Sequence, residues 1–145
     1  MPNRPVSAVI TDQDCVTVPA STRVRKVAEL MKTHRTSAVL VVDAHRERLL
    51  GICTERDLVF GVLAEALDPD ATTVDRVMTA DPLCIAPDKP FGHALHLMYE
   101  NGFRHVPVVD KGKPLGILCA RDALGSDALQ FETELIRREE ITVIL

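Results

Sequence analysis

The residues best equipped for chemistry come in two short runs. Thr54-Glu55-Arg56-Asp57 places a hydroxyl, a guanidinium and a carboxylate within one helical turn. Cys119-Ala120-Arg121-Asp122 repeats the run with a thiol in place of the hydroxyl. An aspartate carboxylate can accept both hydroxyls of a ribose cis-diol. A threonine hydroxyl can donate to a phosphate held at a helix N-terminus, where free N–H groups and the helix dipole favour anions. Arg56 and Arg121 can grip a phosphate through two parallel hydrogen bonds, although a helix-surface arginine is more often solvated or weakly paired. The Thr-x-x-Asp spacing also describes a capping box, which accounts for Thr54 and Asp57 without any ligand. It accounts less well for the second run, where Asp122 persists although Cys119 is a poor cap. Both readings stay open, because a capping residue can also face a ligand.

Other constellations are thin. His93 and His96 stand at i, i+3 on one helix with no third ligand in view, so a solvated face explains them better than a metal. Cys15, Cys53, Cys84 and Cys119 are spaced by 38, 31 and 35 residues, with no C-x-x-C pair. Cys53 reads as core, and Cys119 as a thiol in a would-be ligand position. There is no nucleophile–base pair and no G-x-x-x-x-G-K-S/T loop, so an enzyme acting on a nucleotide finds no support. A net charge of -4, no Trp and a single Tyr argue against a nucleic-acid binder. No apolar run reaches membrane-spanning length and the N-terminus has no apolar leader region, which predicts a soluble cytoplasmic protein.

The elements that must position the two runs are themselves repeated. Gly51-Ile52-Cys53 leads into the first run and Gly116-Ile117-Leu118 into the second, 65 residues later. Ala38-Val39-Leu40-Val41-Val42-Asp43 is answered by His105-Val106-Pro107-Val108-Val109-Asp110, and Met31 by Met98, both shifted by 67. The two-residue difference falls between Asp43 and Gly51, where a loop changes length at little cost. Within each copy a short strand comes first, Cys15–Val18 or Leu83–Ala86, stopped by Pro19 or Pro87. A helix follows, with Val24, Val27, Ala28 and Met31, or Phe91, Ala94, Leu95 and Met98, on its apolar face. Ser21 or Thr22 is the expected cap of the first helix and Asp88 that of the second, with Pro90 in its first turn. An antiparallel hairpin and a second helix complete the unit. Residues 1–14 read as a polar lead-in, 132–140 as a charged helix and 141–145 as an apolar end. Two β-α-β-β-α units of about 60 residues, each too small to be comfortably stable alone, make an α+β fold of two packed copies.

With these residues in place, the chain resembles a pair of CBS domains, the cystathionine-β-synthase repeat. Gly-Ile-Cys-Thr-Glu-Arg-Asp is similar to the family's Gly-hydrophobic-x-Thr/Ser-x-x-Asp, and Arg104-His105-Val106-Pro107-Val108-Val109-Asp110 to its Arg-His-x-Pro-Val-x-Asp strand. The resemblance implies repeats over residues 9–66 and 74–130, a linker over 67–73, and a C-terminal extension over 131–145. It implies pseudo-twofold packing with two clefts that take adenosine-type ligands: AMP, ATP, NAD or S-adenosylmethionine. The expected ligand set is Thr54, Arg56 and Asp57 with their counterparts Cys119, Arg121 and Asp122. Arg104, His105 and Pro107 join them, answered by Ser37 and Ala38 in the first copy, and Val16 and Ile85 are to flank the adenine or simply fill the core. Arg104 and His105 are expected to serve the cleft of Cys119, making the two clefts unequal. The functional expectation is a non-enzymatic sensor that binds nucleotide, forms a homodimer and modulates an effector protein. A ligand-independent assembly module is the alternative.

Overall fold

The computed structural model describes residues 4–45 and 47–123. The charged helix and apolar end expected after residue 130 lie outside these residues. In chain order the elements are α1 (Val6–Val9), β1 (Thr17–Pro19), α2 (Val24–His34), β2 (Ala38–Val42), β3 (Leu49–Thr54), α3 (Glu55–Leu58), β4 (Thr79–Ala80), α4 (Phe91–Asn101), β5 (His105–Asp110) and β6 (Lys113–Cys119). A π-helical stretch, Val59–Leu63, continues α3, and short 3-10 turns cover Val74–Arg76 and Ala120–Ala123. No helix among the described residues is long and apolar enough to cross a membrane.

The repeat is legible in hydrogen-bond register. Ala38 pairs with Thr54 and Val41 with Gly51 in one hairpin, while His105 pairs with Cys119 and Val108 with Gly116 in the other. Both hairpins shift register at the same place, between Val41 and Val42 and between Val108 and Val109. Val18 pairs in parallel with Val41, and Ile85 bridges Val108 in the same sense. The cores correspond as well. Val18, Val27, Met31, Val39, Val41 and Cys53 fill the first, and Ile85, Ala94, Met98, Val106, Val108 and Leu118 the second. Between the sheets lies a third cluster, Ala38, Leu40, Leu49 and Ile52 against Ile117 and Val109, which joins the copies.

Several local expectations are corrected, and the causes are non-local. The first strand starts at Thr17 and includes Pro19, which an edge strand tolerates because its missing N–H faces away from the sheet. Ala28 is exposed, so α2 buries only Val24, Val27 and Met31. Neither Ser21 nor Thr22 caps α2, and Asp88 does not cap α4. Backbone carbonyls from a distant segment do this instead. Val24 N–H donates to Thr72 O (2.9 Å) and Arg25 N–H to Pro69 O (3.2 Å), while Phe91 N–H donates to Arg4 O (2.7 Å). Each acceptor satisfies a donor that a helix start leaves orphaned.

The polar lead-in is a structural element as well. Val6 of α1 is 0% exposed, and it lies in the second core together with Val9 and Ile10. Val74, at the start of the second repeat, is equally buried in the first core. The segment that leads into the first strand of each repeat therefore completes the other repeat. After Val74 the same segment lays β4 along β3, pairing Thr79 with Ile52 and Ala80 with Gly51. At the corresponding place on β6 the Gln13 side chain substitutes for a strand. Ile117 N–H donates to Gln13 Oε1 (2.6 Å), and Gln13 Nε2 donates back to Ile117 O (2.5 Å).

These approaches explain the repeated glycine. A Cβ on Gly51 would stand 2.6 Å from Met78 Sδ and 2.8 Å from Thr79 O; one on Gly116 would stand 2.8 Å from Gln13 Oε1 and 3.1 Å from Ile10 Cβ. Overpacking of this kind costs about 1–3 kcal/mol. Gly51→Ala should lie at the upper end, because Thr79 O is backbone, and Gly116→Ala lower, because the Gln13 side chain can move. Urea unfolding of both variants checks the order, and Gln13→Ala should recover part of the loss in Gly116→Ala but none in Gly51→Ala.

Candidate functional site

The turn from β3 into α3 carries the first run of polar residues. Thr54 N–H donates to Asp57 Oδ2 (2.8 Å), Asp57 N–H donates to Thr54 Oγ1 (3.3 Å), and the Thr54 hydroxyl donates to Asp57 Oδ2 (3.1 Å). This is a full capping box. Both bonds to the carboxylate use Oδ2, so Oδ1 stays available to a ligand while the box holds the side chain in place. In the second run Cys119 N–H donates to Asp122 Oδ2 (2.7 Å). The half-box therefore has its own structural reason, an N–H to satisfy, and the survival of Asp122 beside Cys119 is no sign of a ligand.

Thr54 and Asp57 open into a cavity of about 480 Å³ between the repeats. Ile52, Phe60, Leu83 and Phe103 give it apolar walls, and Arg56, Arg104 and His105 face the same space. Arg56 lies over the Phe60 ring, 5.0 Å from its centroid, a cation–π contact that fixes the guanidinium at the rim. Across the opening, Ser37 Oγ and His105 Nε2 are 2.8 Å apart, a hydrogen bond from one repeat to the other. On its far side is a larger cavity of about 680 Å³, lined by Ser37, Cys119 and Arg121 and again by Arg104 and His105. Glu55 borders both cavities.

Burial holds the His105 pKa below its usual value; Arg121 and Arg104 push the same way, and Glu55 and Asp122 oppose them. The ring is therefore a neutral hydrogen-bonding group at neutral pH. Burial pushes the Cys53 thiol up to about 12 and that of the half-buried Cys15 up to about 11, away from the thiolate form. His96 pairs with Glu100 (2.9 Å) on the exposed side of α4.

Thr54, Arg56, Asp57, Arg104 and His105 thus share one cavity, and Ser37, Cys119 and Arg121 meet Arg104 and His105 in the other. Arg104 and His105 serve both spaces, contrary to the expectation that they belong with Cys119 alone. Asp122 is half-buried behind the second run. Ala38, Val16, Ile85 and Pro107 line neither cavity. Ala38 is packed between the sheets, Val16 and Ile85 enter the two cores, and Pro107 is fully buried. Ile85 is held there by its backbone, which bonds Pro107 O and Val109 N–H; Leu83, two residues earlier and half-exposed, takes the place at the wall. Sequence reasoning also missed Phe60, whose i+4 spacing from Arg56 was the available signal, and Lys32 and Arg35 on the larger cavity.

The chain matches the family model of the CBS domain twice, over residues 6–64 and 74–128. It is 34% identical over 113 residues to the CBS domain-containing protein CBSCBSPB1 of Arabidopsis thaliana, covering 75% of this chain and 21% of that one. The chain thus spans about a fifth of the length of the first curated relatives it matches. Among solved structures, a CBS domain protein of Pyrobaculum aerophilum complexed with AMP superposes with a TM-score of 0.76 at 25% identity, over 82% of this chain and 89% of that one. A hexameric CBS-CP12 protein from bloom-forming cyanobacteria gives a TM-score of 0.76 at 26% identity, over 83% and 66%. Two family matches over most of the chain, on a fold whose two hairpins share one register, place the protein in the CBS domain family as a tandem pair.

Proposed function

We propose that the chain is a regulatory module that binds an adenine nucleotide, AMP before ATP, NAD or S-adenosylmethionine, and alters its hold on an effector protein when it does. The observation that carries this is the 480 Å³ cavity, where the Asp57 carboxylate and Thr54 hydroxyl face Arg104 and His105 across apolar walls. On this proposal the purine lies between Leu83 and Phe60, the ribose diol hydrogen-bonds to Asp57 Oδ1, and the phosphate pairs with Arg104. Cavities of this size and mixed lining are usual for small-molecule sites. The AMP complex of the Pyrobaculum relative supports the ligand class. A homodimer is part of the proposal, since Val59, Phe60 and Leu63 are 48%, 57% and 76% exposed on adjacent turns. The module has no proposed catalytic role.

A melting-temperature screen against AMP, ATP, NAD and S-adenosylmethionine tests the reading directly, with AMP expected to give the largest rise. No shift with any of the four would favour the ligand-independent assembly module. Asp57 needs a graded test, because it both caps and faces the cavity. Asp57→Ala should lose about 1 kcal/mol of apo stability with the cap. Asp57→Asn keeps an acceptor for Thr54 N–H, so its apo stability should stay near wild type while AMP affinity falls about tenfold or more, as loss of a charged acceptor implies.

His105 makes a pH prediction. Its folded pKa lies below the unfolded value, so between the two the unfolded chain binds a proton that the folded chain refuses. Apo stability should fall as the pH drops below about 6.5, the ordinary histidine value. His105→Gln should flatten that slope in melting experiments without nucleotide. Light scattering at micromolar concentration should give twice the 16.0 kDa chain mass.

A further inference from the structure

The two cores are closed in the same way, by a short apolar segment that sits on each. On the first core sit Val74, Val77 and Met78, and on the second Val6, Val9 and Ile10. Both sets read apolar-x-x-apolar-apolar, and Val74 is 68 residues beyond Val6. The backbone contacts repeat with the side chains. Thr73 bridges Arg23 as Pro5 bridges Pro90, and Thr72 O and Arg4 O each accept the first amide of a helix. Met78 stands against Gly51, and Ile10 against Gly116. One difference remains: the first core is closed by residues that follow its hairpin in the chain, and the second by residues that precede it. The segment in the corresponding place after the second hairpin is Ile141-Thr142-Val143-Ile144-Leu145, 67 residues beyond Val74. It lies outside the described residues, and it has the same order, with Ile141, Ile144 and Leu145 at the three apolar places. The chain thus carries three such segments for two seats.

We propose that Ile141–Leu145 is a second occupant of the seat on the second core and exchanges there with Val6–Ile10 of the same chain. Ala123 packs on that core, so the tether starts at the seat. The eighteen residues from Ala123 to Ile141 reach up to about 60 Å when extended, more than enough to return. Tethering holds both segments near the seat at an effective concentration of about millimolar, so the competition is internal to the molecule. Whichever segment is displaced presents three apolar side chains. A partner that takes hold of one therefore leaves the seat to the other, which makes the exchange a switch. This stands apart from nucleotide binding, since neither segment lines either cavity at the repeat junction.

Hydrogen exchange on the full chain tests this. The Val6 and Ser7 amides donate to Lys89 O (2.9 Å) and Pro87 O (3.0 Å) only while α1 is seated. Ile141→Asp combined with Ile144→Asp removes the competitor, and both amides should then exchange about tenfold more slowly than in the wild type. The Val24 amide, held by Thr72 O at the first core, should not change. Melting temperatures give an independent reading. Val6→Ala should lower the melting temperature less than Val74→Ala does, because Ile141 can take the vacated place. Adding Ile141→Asp should enlarge the loss from Val6→Ala and leave the loss from Val74→Ala as it was. Unchanged exchange at Val6 and Ser7, or losses that simply add at both seats, overturns the proposal. So does an exchange effect that disappears on dilution, which assigns the competing segment to a second copy.

Discussion

Backbone amides at the start of a helix must find acceptors, and in both repeats they find them on a segment from elsewhere in the chain. Thr72 O and Pro69 O serve α2, and Arg4 O serves α4. The same segments put Val74 into the first core and Val6 into the second. Neither repeat closes its core or satisfies its helix without the segment that leads into the first strand of the other. This reciprocal exchange, added to the Leu40–Ile52–Ile117 cluster between the sheets, ties two units of marginal size into one. The cavities exist because the exchange fixes how the two β-to-helix turns face one another.

The site inherits its character from that arrangement. Glu55, Arg56 and Asp57 come from the first repeat and Arg104 and His105 from the second, and the Ser37–His105 hydrogen bond spans the junction. Both spaces take their walls from both repeats. Burial keeps His105 neutral, which leaves the fixed charge to arginine and lysine.

Much of this was legible in the residues alone. The apolar runs of β2 and β5 and the period of α2 and α4 depend on local physics, and local physics is written in spacing. The repeat also located Thr54, Asp57, Arg104 and His105. What stayed hidden depends on contacts distant in sequence. No pattern in four residues marks α1 as an element, because its one buried side chain is explained only by the second core. The missing caps on α2 and α4 are supplied by backbone carbonyls, which carry no residue signature. Asp122 beside Cys119 suggested a ligand because a capping box was taken to need both side chains, whereas one carboxylate on one N–H suffices.

The docking of residues 4–13 has a consequence for the order in which the molecule is made. These residues are synthesised well before their hydrogen-bond partners, Pro87, Lys89, Phe91 and Ile117, which lie 80 to 104 positions later in the chain. On the ribosome the first repeat can close once the start of the second emerges, since Val74 and β4 follow soon after β3. The N-terminal segment must wait, its apolar Val6, Val9 and Ile10 uncovered, until β6 has formed. A late step of folding is thus the return of this earlier segment, and Gln13, gripping Ile117 through a side chain rather than a strand, is the latch that closes it.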